Sequence, residues 1–390
     1  MNQTCRCLSC ITPPHLLKKL LESKDENVRK AALNTLLTTS QLRGERTVRA
    51  SASFLATPAS GRRSIYNCQN SYILSSAVLA RREDDMDPVP DESVNLAFEG
   101  LGTTREFYKE VLNRNSLNGR GMRLDGFVHH GIRYNNAFWD GQQMVFGDGD
   151  DIIFTDFTKS LDVIAHELTH GVTEFTANLE YHTQSGALNE SISDVFGSLV
   201  KQWSLRQTAD EADWLIGSEI FTPHIGADAL RSMKAPGTAY DNSQLGKDPQ
   251  PDHMDRFVVL PDTQEGDWGG VHINSGIPNK AFYLTAVNIG GNAWEDPGSI
   301  WYESLLASNQ LTQFQDFANT TYMKAGQMYG PNSIQQQAVA SAWRQVGIRI
   351  AGARSWGPSK GRNGTADGDS LVALTKQIES LASQVKTLTK

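Results

Sequence analysis

The chain has 390 residues, 39% hydrophobic and 21% charged, with a formal net charge of −8. That length supports a large core and more than one domain. The acidic balance argues against a general nucleic-acid binder, and no run approaches the roughly 18 to 20 apolar residues of a membrane helix.

The N-terminus, "MNQTCRCLSCITPPHLLKKLL", lacks the apolar core of roughly 7 to 15 residues that a secretory signal needs. This leaves a cytoplasmic location or export by a non-classical route. Cysteines occur at Cys5, Cys7, Cys10 and Cys68 and nowhere after, which excludes a disulfide-stapled fold. The first three read as a flexible thiol-bearing end, with metal binding as the alternative. In "PPHLLKKLLESKDENVRKAALNTLLTTSQL", Leu16, Leu17, Leu20, Leu21, Val28, Ala31, Ala32 and Leu36 have helical spacing, entered through Pro13 and Pro14. Residues 1–60 hold nine Lys/Arg and four Asp/Glu, a net of +5, which leaves −13 for the rest. A basic helical segment ahead of an acidic body suggests a docked, removable partner; a small helical domain that stays in place is the alternative. The segment 46–64, "RTVRASASFLATPASGRRS", has the composition of an exposed, protease-sensitive linker.

"ESVNLAFEGLGTTREFYKEVL" reads as a helix, and "RLDGFVHHGIRYNNAFWDGQQMVFGDGD" as alternating strands ending in turn residues. From Leu161 to about Ile350 helical patterns dominate, with breaks at 235–255 and 261–276. Residues 351–370 read as a flexible linker. Beyond it Leu371, Leu374, Ile378, Leu381, Val385 and Leu388 form a short a/d heptad pattern. The segment 371–390 is thus expected either to self-associate or to pack as a lone amphipathic helix.

"HELTH" at 166–170 carries the chemistry. On a helix, positions i and i+4 share a face, so His166 and His170 present two imidazoles to one ion with Glu167 alongside. Zinc suits imidazole, and a catalytic zinc takes three protein ligands and leaves one position for water. Two ordinary histidines on a helix are the bland alternative. In "SGALNESISDVFGSLVKQW", Glu190 lies twenty residues beyond His170, and Asp194 follows one turn later. A carboxylate from an antiparallel neighbouring helix would complete a His/His/Glu site. Asp194 would then accept the outward N–H of a ligating histidine.

These segments, with "RYNNAFWDGQQMVFGDGD", "LRSM" and "GDWGGVHINSGIPNKAFYL", resemble the thermolysin family of zinc metalloproteases, from about Ile65 to Ile350. The short basic leader with "PPHLLKKLL" is similar to that of the protealysin-like branch. The resemblance implies an α+β, two-domain metalloprotease. Its β-rich N-terminal part would span 61–182 and include the zinc helix, and its helical C-terminal part 183–350, after a propeptide and linker at 1–60. It implies that His166, His170 and Glu190 bind zinc and that Glu167 is the general base for the metal's water. His272 and Tyr181 would stabilise the oxyanion, and Asp267 would orient His272. Asn136 and the backbone of Ala137 would hold the substrate chain, and Arg231 the carbonyl after the cut. Asn189 and Asp194 would support the zinc histidines. Phe154, Phe157, Val163, Ile216 and Leu230 would line an apolar pocket that favours cleavage before bulky hydrophobic residues. Secretion is the family expectation.

One departure concerns calcium. The family's acidic cluster keeps Asp162 and Asp213, but its other positions read Lys201, Leu215 and Ser218. Calcium takes roughly 6 to 8 oxygen ligands, so the usual double site is expected to be lost, with the Lys201 ammonium between the two aspartates. The leading function is a zinc endopeptidase made as a zymogen, acting on protein or peptide substrates and on its own propeptide. A non-catalytic interaction protein and a zinc exopeptidase are the competing readings.

Overall fold

The computed structural model describes residues 9–49, 63–85 and 87–351. A short strand β1 (Ser9–Cys10) leads into α1 (Pro14–Leu20) and α2 (Glu26–Arg49). Pro13 and Pro14 end the strand and open α1, where a missing N–H costs nothing. Then come β2 (Arg63–Asn67), β3 (Val78–Arg82), α3 (Glu92–Leu112), β4 (Leu124–Val128), β5 (Ala137–Trp139) and β6 (Met144–Phe146). The six strands form one mixed sheet in the order β1-β5-β6-β4-β2-β3. Within it β2/β4 and β4/β6 are parallel, and the other neighbours antiparallel. The leader therefore supplies the edge strand, with Ser9 opposite Trp139 and Cys10 opposite Phe138.

The helix α3 follows the sequence pattern closely. Asp91 caps its N-terminus by accepting from the Val94 N–H, and Asn113 ends it in the left-handed region at φ 51°. The next two helices, α4 (Leu161–Glu174) and α5 (Thr183–Leu205), pack on each other at the centre of the fold. Both are buried along most of their length, including their polar residues. Those polar groups must find partners inside the protein. Gly197 lets the helices close: a Cβ there would stand 2.6 Å from the Asp162 carbonyl oxygen and 3.4 Å from the His166 Cβ.

Helical dominance after Leu161 is weaker than the pattern suggests. Between α5 and α6 (Asp267–Asn274) the described chain holds short strands, among them β7 (Leu215–Ile216) and β8 (Arg231–Ser232), and one 3-10 turn. Conversely, α6 lies inside the expected break at 261–276. Its start is kinked: Trp268, Gly269 and Gly270 all have positive φ. That local geometry hides the helix from a composition reading. The helices α7 (Gly276–Ile289), α8 (Asp296–Leu306), α9 (Phe314–Tyr329) and α10 (Ile334–Gln345) complete the C-terminal part.

Two further expectations are corrected. The helix α2 runs to Arg49, so 46–49 belong to it rather than to a linker; 50–62 lie outside the described residues. Cys10 is 1% exposed in a paired strand rather than on a loose end. Hydrogen bonding to β5 overrides its local composition. Cys5, Cys7, the 351–370 linker beyond Ala351 and the 371–390 heptads lie outside the described residues.

Candidate active site

His166, Glu167 and His170 project from α4 towards Glu190 on α5. The two Nε2 atoms stand 3.0 Å apart, and each is 3.5 Å from a Glu190 oxygen. Ligands about 2.0 to 2.2 Å from a tetrahedral zinc stand roughly 3.3 to 3.6 Å from each other. The outward nitrogens are already engaged. His166 Nδ1 lies 2.8 Å from Asp194 Oδ1, and His170 Nδ1 lies 2.8 Å from Asn189 Oδ1 and 3.1 Å from Ser193 Oγ. Protons on both Nδ1 atoms leave two Nε2 lone pairs facing each other, while Glu190 Oε2 accepts no hydrogen bond. Burial holds His170 neutral, with a pKa pulled down to about 3. Lone pairs converging in a dry site fit a cation, and the N/N/O donor set suits zinc. These are the three residues grouped as a possible metal site among the described residues.

Glu167 is fully buried, and one of its oxygens accepts from the Trp139 N–H at 3.1 Å. Burial, with Glu190 near, pushes its pKa well above the ordinary range. A bound cation would oppose that shift. On the far wall His272 Nδ1 lies 2.6 Å from Asp267 Oδ1, and Nε2 lies 3.3 Å from the Tyr181 hydroxyl. Tyr181 also donates to Glu190. Burial pulls the His272 pKa down, but Asp267 and Glu190 outweigh it and push it up to about 9. With Nδ1 held by Asp267, Nε2 faces the cleft.

Arg231 grips both Asp194 oxygens at 2.8 Å. Burial pushes Asp194 up, but Arg231 and His166 outweigh it and hold its pKa below the usual carboxylate range. Asn279 Nδ2 adds a third donor to Asp194 at 2.8 Å. Sequence reasoning missed Asn279, Ser193 and the Trp139 N–H; all three lie inside the family-like motifs, but nothing in their spacing marked them. Contacts among the expected site residues join His166, His170, Glu190, Tyr181, His272 and Asp267, and link Asp194, Asn189 and Arg231 to the two zinc-facing histidines. Phe154, Phe157, Val163, Ile216 and Leu230 are buried in one apolar cluster that also contains Ile11.

That last residue belongs to the leader, which lies in the cleft. The Cys10 carbonyl oxygen is 3.0 Å from His272 Nε2. The Ile11 N–H donates to the Ala137 carbonyl at 3.2 Å, and the Ile11 carbonyl accepts from Arg231 at 3.2 Å. The Thr12 N–H donates to Asn136 Oδ1 at 3.0 Å. Beyond them, Thr35 accepts from the Asn135 N–H and Thr39 bonds the Tyr134 hydroxyl, both at 2.9 Å. Away from the cleft, Lys201 on α5 lies 3.3 Å from Asp162 and 2.9 Å from Asp213.

Comparison with known proteins agrees with this geometry. Residues 50–174 match the family described as "Thermolysin metallopeptidase, catalytic domain", and 177–348 its "alpha-helical domain". The chain is 46% identical over 347 residues to "Protease PrtS" of Photorhabdus sp. (strain Az29), covering 87% of this chain and 92% of the relative. It is 44% identical to the "Extracellular metalloprotease" of Pectobacterium carotovorum subsp. carotovorum, covering 88% and 98%. The solved precursor of protealysin, a metalloproteinase from Serratia proteamaculans, aligns with a TM-score of 0.77 at 46% identity, over 87% of this chain and 99% of that one.

Proposed function

The chain belongs to the thermolysin metallopeptidase family and is a zinc metalloendopeptidase; from that premise we propose that it is made as a zymogen, cuts before bulky hydrophobic residues and uses Glu167 as general base. The observation that carries this is the leader bound along β5, with its Cys10 carbonyl on His272 and its Ile11 carbonyl on Arg231. His166, His170 and Glu190 would hold zinc, which when bound would supply Lewis acidity and lower the pKa of water towards neutrality. Glu167 takes the proton of the attacking water and passes it to the leaving amine. His272, oriented by Asp267, and Tyr181 donate to the carbonyl oxygen as it gains charge. Arg231 holds the next carbonyl, while Asn136 and Ala137 fix the backbone. Asp194 and Asn189 hold the histidine tautomers.

The same premise supports two coarser points. The Lys201 ammonium between Asp162 and Asp213 favours loss of the double calcium site. The name of the Pectobacterium relative favours action outside the cell. The test is hydrolysis of casein by the wild-type protein and by Glu167→Ala, each freed of its leader, with and without a zinc chelator. The chelator should abolish activity, and the substitution should lower it by roughly 10²- to 10⁴-fold. Equal activity in the two proteins would overturn the mechanism.

A further inference from the structure

We propose that the leader is itself a substrate of the site, cut in cis between Cys10 and Ile11, ahead of and separately from any cut in the 46–64 segment. This rests on the endopeptidase reading above. A segment that only blocks a cleft needs no register and can run in either direction. Here the side chains and backbone groups assigned above to the substrate meet at one bond. The Cys10 carbonyl oxygen receives the His272 Nε2 donor at 3.0 Å. The Ile11 N–H, on the leaving side, faces Glu167 and is bonded to the Ala137 carbonyl. The next carbonyl is held by Arg231 and the next N–H by Asn136.

The side chains agree with the backbone. Ile11 is fully buried and belongs to the protein's central apolar cluster. Antiparallel pairing of Ser9 with Trp139 and Cys10 with Phe138 fixes this register. A slip of one residue would turn Ile11 to the opposite face and bring Cys10 or Thr12 into its place.

The step balances as a hydrolysis. The water oxygen bonds to the Cys10 carbonyl carbon and one of its protons goes to Glu167. The C–N bond then breaks with its electron pair on the Ile11 nitrogen, which takes the proton from Glu167. The products are a Cys10 carboxyl group and an Ile11 amine. The new amine cannot diffuse away at once. It remains joined to α1 and α2, which stay anchored by His15 on Tyr240, Thr35 on Asn135 and Thr39 on Tyr134. The leader is therefore a substrate whose leaving half is retained, so the cleft stays filled after the first cut.

The experiment follows the intact mass of the full-length protein after zinc addition, over a tenfold range of protein concentration. The expected result is a species lacking only the first ten residues, beginning at Ile11, formed at a rate independent of concentration. Glu167→Ala should stay full length. Ile11→Gly, which removes the pocket-filling side chain, should slow the cut at least tenfold. Once its leader is removed, that variant should hydrolyse casein at the wild-type rate. Protein that hydrolyses casein while the Cys10–Ile11 bond stays whole, or a cut whose rate scales with concentration, overturns the inference and leaves the endopeptidase reading standing. Zinc-loaded protein inert towards both casein and its own leader overturns both.

Discussion

His15 shows how one leader residue can set the strength of docking. Its Nε2 meets the Tyr240 hydroxyl at 2.9 Å, while Nδ1 has no hydrogen-bond partner among the described residues. Burial pulls its pKa down to about 4; Asp267 opposes the fall, and His272, Arg231 and Lys18 add to it. The docked state thus prefers neutral His15, whereas an undocked leader titrates near 6.5. As pH falls below about 6.5 the undocked form gains a proton first, so docking weakens progressively down to about pH 4. Amide-exchange protection of 11–20 in full-length Glu167→Ala protein, corrected for intrinsic rates, should be roughly tenfold lower at pH 5 than at pH 7. His15→Gln should flatten that dependence. The same flatness in the parent would refute the role of His15.

At the level of elements, the pair α4–α5 holds the metal ligands, and its far end is braced by Lys201. The lysine side chain is 12% exposed and Asp162 is fully buried. Burial pulls the Lys201 pKa down, but Asp162 and Asp213 outweigh it and hold it above its ordinary value. Removing one partner of such a pair strands the other charge, at a cost of roughly 3 kcal/mol. Lys201→Met should therefore lower the thermal midpoint by several degrees, measured by calorimetry. Added calcium should leave the midpoint of the parent unchanged; a large calcium-dependent rise would mean that a calcium site survives. The charge swap was readable from residue types alone. The ion-pair distances were not, because they depend on how α5 crosses α4 at Gly197.

For the whole molecule, the leader is built into the sheet rather than appended to it. Its strand extends β5, its helices contact the cleft, and Ile11 joins the central apolar cluster. The heptads at 371–390 raise a separate question of assembly. If they self-associate, deleting them should reduce the mass in solution by an integral factor, measured by light scattering. An unchanged mass would dismiss that role.

Much of the site was legible because it is local. The i, i+4 histidines with the adjacent glutamate, and Asp194 one turn beyond Glu190, follow from helix periodicity, and α3 was read as a helix over the residues it occupies. The kinked α6 was not legible, because positive φ at Trp268, Gly269 and Gly270 is a tertiary compromise that composition does not encode. Nor was the burial of Cys10, since an edge strand of two residues has no pattern of its own and exists only by bonding to β5. The sequence by itself determined the i, i+4 histidine pair with its adjacent glutamate and the basic helical leader, while the resemblance supplied the third ligand and the role of the base. Only the tertiary structure decided which leader bond faces the catalytic residues, because that register is set by hydrogen bonds between residues more than a hundred positions apart.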